Sequence, residues 1–168
     1  MNIYTRRGDQ GKTDLFSGER VKKYNVQVEA YGVVDELNSC LGIARSKISE
    51  AEIYRLLKNI QQKLFVVGSE LANRNKNLKN KIENTDVSKL EAKIDFFKKK
   101  VDLQNSFSVP GDSEQGSYLD LARTVCRRAE RRIFELNDLE DYELNKYLLE
   151  YINRLSDLLF ILSKVVDS

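Results

Sequence analysis

Apolar residues recur through most of this chain at intervals of three and four, the spacing that lays one stripe along a helix. From Val26 to Ile48, the residues Val26, Ala30, Val33, Val34, Leu37, Leu41 and Ala44 share one broad face and predict a first helix. A second is expected from Glu50 to Asn75, where Ile53, Leu57, Ile60, Leu64, Val67 and Leu71 step in the same way. Leu90, Ile94 and Phe97 mark a third from Val87 to Val101, with either Thr85 or Asp86 as its cap. Pro110 and Gly111 interrupt the pattern, because neither continues a helix. Beyond them a fourth helix is expected to end near Leu136, with either Ser113 or Ser117 at its start. The fifth spans Tyr142 to Val166, carried by Leu144, Leu148, Ile152, Leu155, Leu159 and Leu162. The stretch 1–24 shows no sustained period and holds three glycines, so it reads as an irregular leading segment. The expected fold class is therefore all-α: one domain over 1–168, with an irregular segment at 1–24 and an antiparallel five-helix bundle at 25–168.

Composition supports one helical core and narrows the chemistry. A single proline among 168 residues leaves long runs without a breaker. The net charge is +2, so no whole-molecule field draws the chain to nucleic acid or to a membrane surface. No apolar run approaches the roughly 20 residues of a bilayer span, and the first residues carry no apolar leader, which points to the cytoplasm. Cys40 and Cys126 form no CxxC motif and are expected to be reduced core thiols. There is no histidine, which removes the usual general base, the usual zinc ligand and the Ser-His triad together.

Four stretches carry polar chemistry. Gly8-Asp9-Gln10-Gly11-Lys12-Thr13 ends like a Walker A loop, but Arg6 stands where that motif needs its first glycine and no buried strand precedes it. Its glycines still allow backbone N–H groups near an anion, and six basic against three acidic residues within 1–24 make the segment locally cationic. On the fourth helix, Arg123, Arg127 and Arg131 form one row and Arg128 and Arg132 the next, forks suited to a triphosphate or to a solvated face. Asp35-Glu36, flanked by apolar residues, either fixes an arginine from another helix or helps to hold Mg²⁺. Asn153 interrupts the fifth helix's apolar line with a hydrogen-bonding amide.

Taken together, these stretches resemble the PduO-type ATP:cob(I)alamin adenosyltransferases. YTRRGDQGKTDLFSG at 4–18 resembles that family's nucleotide loop and VEAYGVVDELNSCLG at 28–42 its first helix. FSVPGDSEQGSYLDLARTVCRRAER at 107–131 resembles its signature, followed by INRLSD at 152–157. The resemblance implies transfer of the 5′-deoxyadenosyl group of ATP to the cobalt of cob(I)alamin, with triphosphate released. It further implies Mg²⁺, a homotrimer with active sites between subunits, a reductase that supplies cob(I)alamin, and an adenosylcobalamin-dependent client enzyme.

By the same resemblance, Thr5, Arg6, Arg7, Gly8, Thr13 and Lys23 contact ATP from one subunit, and Arg127, Arg128, Glu130, Arg131 and Asn153 complete the site from the next. Asp35 pairs with Arg123, and Phe107 lies against the corrin, where the family uses it to exclude the lower axial ligand. Arg7 and Asp112 depart from the family pattern, which has a small residue and a second glycine in those places. Two rival classes are a helical module that grips a polyanion without chemistry and a corrinoid carrier; salt-dependent nucleic-acid binding marks the first, and the absence of triphosphate release marks the second.

Overall fold

A computed structural model describes residues 4–73, 78–103, 109–139 and 142–168. Its order is β1 (Lys12–Asp14), β2 (Arg20–Lys22), α1 (Val26–Lys47), α2 (Ala51–Ala72), α3 (Asn84–Lys98), α4 (Glu114–Asn137) and α5 (Lys146–Asp167). The five expected helices are all present, and their stripes are the core: Leu37, Leu57, Leu64, Leu119, Ile133, Leu155 and Leu159 are almost wholly buried. Helix α4 lies between α1 and α5, with α2 against α1 and α3 against α5. Cys126 is buried, with Sγ 3.5 Å from the Ile152 carbonyl; Cys40 is half-buried, and both thiols are free.

Two boundaries differ from the periodic reading, each because a cap decided it. Glu83, rather than Thr85 or Asp86, precedes α3, and Asp86 closes a capping box by accepting from the Glu83 N–H at 3.2 Å. Asn145 caps α5, so that helix begins later than Tyr142, whose hydroxyl instead donates to Gln27 Oε1 at 2.8 Å. For α4 the first alternative holds: the Gly116 N–H donates to Ser113 Oγ at 2.9 Å.

The leading segment is not wholly irregular. Its two strands pair antiparallel in the register Lys12 with Lys22, Thr13 with Val21 and Asp14 with Arg20. Three-residue strands are too short to show a period, so the pairing left no sequence trace. Asp14 braces the hairpin by accepting from Arg20 Nη1 at 2.9 Å and pairing with Arg7 Nη2 at 3.0 Å.

The end of α5 is tied to the start of α4. Asp167 Oδ1 accepts from the Ser113 hydroxyl at 2.6 Å, and Lys164 lies 3.6 Å from the same carboxylate. Gly116 leaves room for that group: a β-carbon there would stand 2.1 Å from Asp167 Oδ1. Alanine for glycine within a helix normally stabilises by up to about 1 kcal/mol. Here Gly116→Ala must expel a hydrogen-bonded carboxylate, and the expected outcome is a loss of about 1–2 kcal/mol in urea unfolding. In an Asp167→Ala background the same substitution is expected to become neutral or stabilising, which a double-mutant cycle measures directly.

Candidate functional site

A 24-residue helix rises about 36 Å, so α4 presents its arginines along a rigid rod. Its buried side is formed by Ala122, Val125, Cys126, Ala129 and Ile133, which leaves the arginines on its two flanks. Arg128 turns toward α1 and pairs with Glu36. Of the two readings of the acidic pair, Glu36 thus takes the arginine-fixing one within this chain.

The other flank faces α5. Asn153 donates from Nδ2 to Glu130 Oε1 at 2.7 Å, and its Oδ1 accepts from Arg154 Nη1 at 2.7 Å. Arg131 Nη1 donates to the Arg127 carbonyl at 3.0 Å, which folds its side chain back along the helix. Arg123 and Arg127 line a groove of about 370 Å³ with Ile94, Ser156, Asp157 and Phe160. Arg123 is held by Asp120, Nε to Oδ1 at 3.0 Å. The guanidinium of Arg127 is exposed and makes no hydrogen bond or ion pair among the described residues. Arg127, Glu130, Arg131 and Asn153 are therefore gathered on one seam, whereas Arg128 lies on the opposite flank of the same helix.

The leading hairpin builds a second cationic patch. Arg6 has a positive φ of 59°, and Gly11 one of 74°. The Gly8 carbonyl accepts from the Gly11 N–H at 3.1 Å, and the Gly11 carbonyl from the Lys23 N–H at 2.9 Å, which coils residues 8–11 against β2. Lys23 reaches back over Gly8: a β-carbon at residue 8 would stand 3.2 Å from its Nζ. Directly opposed Lys12 and Lys22 repel each other across the strands. An anion bound here relieves that repulsion. Thr5 is exposed and Thr13 half-buried, so both are near the surface of the same segment. Arg7 is engaged by Asp14 and acts in this chain as a brace of the hairpin.

One expected pairing does not form within one chain. Asp35 is exposed in a groove with Arg45, Lys58, Gln61 and Phe65 between α1 and α2, while Arg123 pairs with Asp120, so Asp35 and Arg123 are not partners here. Phe107 lies outside the described residues. Sequence reasoning also missed the roles of Asp14 and Arg20. The signal was a carboxylate and a guanidinium in register across a turn, legible only once the hairpin was known. Among the described residues no group of three acidic or sulfur ligands comes together as a metal cage.

Comparison with known proteins identifies the family. The family model described as cobalamin adenosyltransferase matches residues 3–166. A corrinoid adenosyltransferase PduO of Salmonella typhimurium is 43% identical over 171 residues, covering 100% of this chain and 50% of that protein. The chain thus spans half the length of that relative. A corrinoid adenosyltransferase of Bacillus subtilis is 38% identical over 172 residues, covering 100% of this chain and 88% of its own length. Among solved structures, a variant PduO-type ATP:corrinoid adenosyltransferase from Lactobacillus reuteri, complexed with cobalamin and ATP, superposes with a TM-score of 0.90 at 37% identity, covering 99% of this chain and 93% of that one. With a family model matched over nearly its whole length and relatives of the same kind at 43% and 38% identity, this chain belongs to the cobalamin adenosyltransferase family.

Proposed function

We propose that this protein transfers the 5′-deoxyadenosyl group of ATP to the cobalt of cob(I)alamin and releases triphosphate. The observation that carries the reading is the Arg127 guanidinium, without a partner among the described residues, on a seam ordered by the Glu130–Asn153 hydrogen bond. Cob(I)alamin is itself the nucleophile, so the protein supplies alignment and charge rather than a base. That division of labour suits a chain without histidine. As the cobalt–carbon bond forms and the bond from C5′ to the phosphate oxygen breaks, negative charge grows on the triphosphate. Arg127 and Arg131 are preorganised to receive it, with Arg6, Gly8, Thr13 and Lys23 holding the phosphates from the hairpin side.

Mg²⁺ would enter this site as a companion of the nucleotide, since among the described residues no cluster of carboxylates or thiols forms a cage for it. It would neutralise phosphate charge. Arg7, being held by Asp14, contributes through the shape of the loop, and Arg128, held by Glu36, through the seating of α4 against α1. Phe107 takes the role of an apolar wedge against the corrin, excluding the lower ligand so that a four-coordinate cobalt accepts an electron more readily.

Assembly completes the site in this reading. Phe65 is 70% exposed and Ile43 46% exposed on α1 and α2, while Leu121 and Phe134 are exposed on α4. Two different apolar faces on one chain favour a head-to-tail ring, and a trimer closes it. Asp35 then meets Arg123 of a neighbour, and the hairpin of one chain meets the seam of the next. The product passes to adenosylcobalamin-dependent enzymes, a reductase supplies the substrate, and a cytoplasmic location suits both.

The deciding experiment mixes the purified protein with ATP, Mg²⁺ and chemically reduced cobalamin. The expected outcome is the absorption spectrum of the adenosylated product together with one triphosphate per turnover; ATP bound without triphosphate release would instead identify a carrier. Arg127→Ala is expected to lower kcat/KM for ATP by about 100-fold or more, the scale of one lost charge-stabilising donor. Phe107→Ala is expected to leave ATP affinity unchanged while slowing turnover that starts from cob(II)alamin under reduction. Phe65→Asp is expected to reduce the mass in sedimentation equilibrium from three chains to one and to remove turnover with it.

A further inference from the structure

Helices α2 and α3 do not pack on one another as the other neighbours do. Two ion pairs bridge them instead, Lys63 to Asp86 at 2.9 Å and Lys93 to Glu52 at 2.9 Å. Between the bridges lies a cleft of about 820 Å³, walled by Ile60, Val66, Leu90 and Ala92 and floored by Tyr151 of α5. That volume falls in the range of small-molecule sites. The cleft shares α3 with the groove of Arg123 and Arg127 but uses another flank, since Ile94 and Lys98 face that groove.

Tyr151 is only 2% exposed, yet its hydroxyl has no hydrogen-bond partner among the described residues. The hydroxyl is thus the part of the ring that meets the open cleft, where an acceptor that enters can take its hydrogen bond from water. Burial, with the Asp86 carboxylate nearby, pushes its ionisation well above the usual phenol range, so the group stays protonated and donates. The charge of Asp86 is offset by Lys63. Its Oδ2 already accepts from Lys63 Nζ and from the Glu83 N–H, at 2.9 and 3.2 Å. Lys89 lines the cleft, is exposed, and has no ion-pair partner among the described residues.

The cleft therefore offers apolar walls, one O–H donor held in its floor and one unpaired ammonium. We propose that it binds an organic monoanion with an apolar body, a carboxylate on an aromatic or branched frame. The body lies against Ile60, Leu90 and Ala92, and the carboxylate accepts from the Tyr151 hydroxyl or from Lys89. A neutral apolar molecule leaves the ammonium unused, and inorganic phosphate leaves the walls wet.

Isothermal titration of the full chain with 2-naphthoate tests this, with neutral 2-naphthamide and inorganic phosphate as parallel titrants. The expected result is saturable naphthoate binding, with the amide about tenfold weaker and phosphate silent. Tyr151→Phe and Lys89→Gln are each expected to weaken naphthoate by about tenfold, the worth of one hydrogen bond to a charged group. Ala92→Trp fills the cleft and is expected to abolish the heat, and an unchanged melting temperature in the Tyr151→Phe chain shows that folding is intact. Saturating ATP is expected to leave naphthoate binding untouched. Equal affinity for the amide, wild-type affinity in all three variants, or displacement by ATP would each overturn the assignment, and none of these outcomes bears on adenosyl transfer.

Discussion

Everything in this structure turns on α4, which must bury one side in the core while carrying five guanidinium groups between Arg123 and Arg132. Desolvating even one unpaired guanidinium costs several kcal/mol, so no arginine can face inward without a partner. The chain meets this by keeping the buried side apolar, with Ala122, Cys126 and Ala129 between the larger Leu119, Ile133 and Leu136, where α1 and α5 pack on it. The arginines are then displaced onto the two flanks. Glu36 neutralises one flank and Asp120 the base of the other, and Arg127 is left over. An unpaired cation beside a groove is where a polyanion gains most, because it displaces no existing partner.

The same helix depends on its ends. Ser113 and Asp167 fasten its first turn to the far end of α5, and the Glu130–Asn153 bond fastens its middle to the same helix. With α5 held at two heights, the row of Arg123, Arg127 and Arg131 keeps a fixed distance from the wall opposite. In the proposed adenosyl transfer such fixing matters more than acid–base groups do, since cob(I)alamin is itself the reactive nucleophile. The hairpin is built on another plan: a short ladder, one carboxylate clasped by two arginines, and lysines set against each other. Its repulsions are tolerated at the surface, where water screens them, and in the proposed function phosphates would relieve them.

Burial elsewhere is distributed unevenly. Where α1, α4 and α5 meet, apolar side chains interlock; where α2 and α3 pass, lysine–carboxylate bridges stand in for packing, and Tyr151 is left beneath an open cleft. Both contrasts have one origin. Residues that serve only the core were selected by volume, and those at seams are charged because they also face solvent or a ligand.

The sequence alone determined the five helices, their buried stripes and the family, since a 3.6-residue period repeated over twenty positions survives any detail of packing, and the motif at 107–131 is long. It placed Arg127 and Arg131 in one row and Arg128 in another, because that follows from helical geometry without knowing the neighbours. Tertiary structure decided what those rows face. Glu36 rather than Asp35 meets Arg128, Arg123 meets Asp120, and Arg7 meets Asp14, each a choice between carboxylates that spacing leaves equivalent. The hairpin and the starts of α3 and α5 were likewise beyond the pattern. They rest on single capping and cross-strand hydrogen bonds, which depend on where a chain turns in space and leave no period behind them.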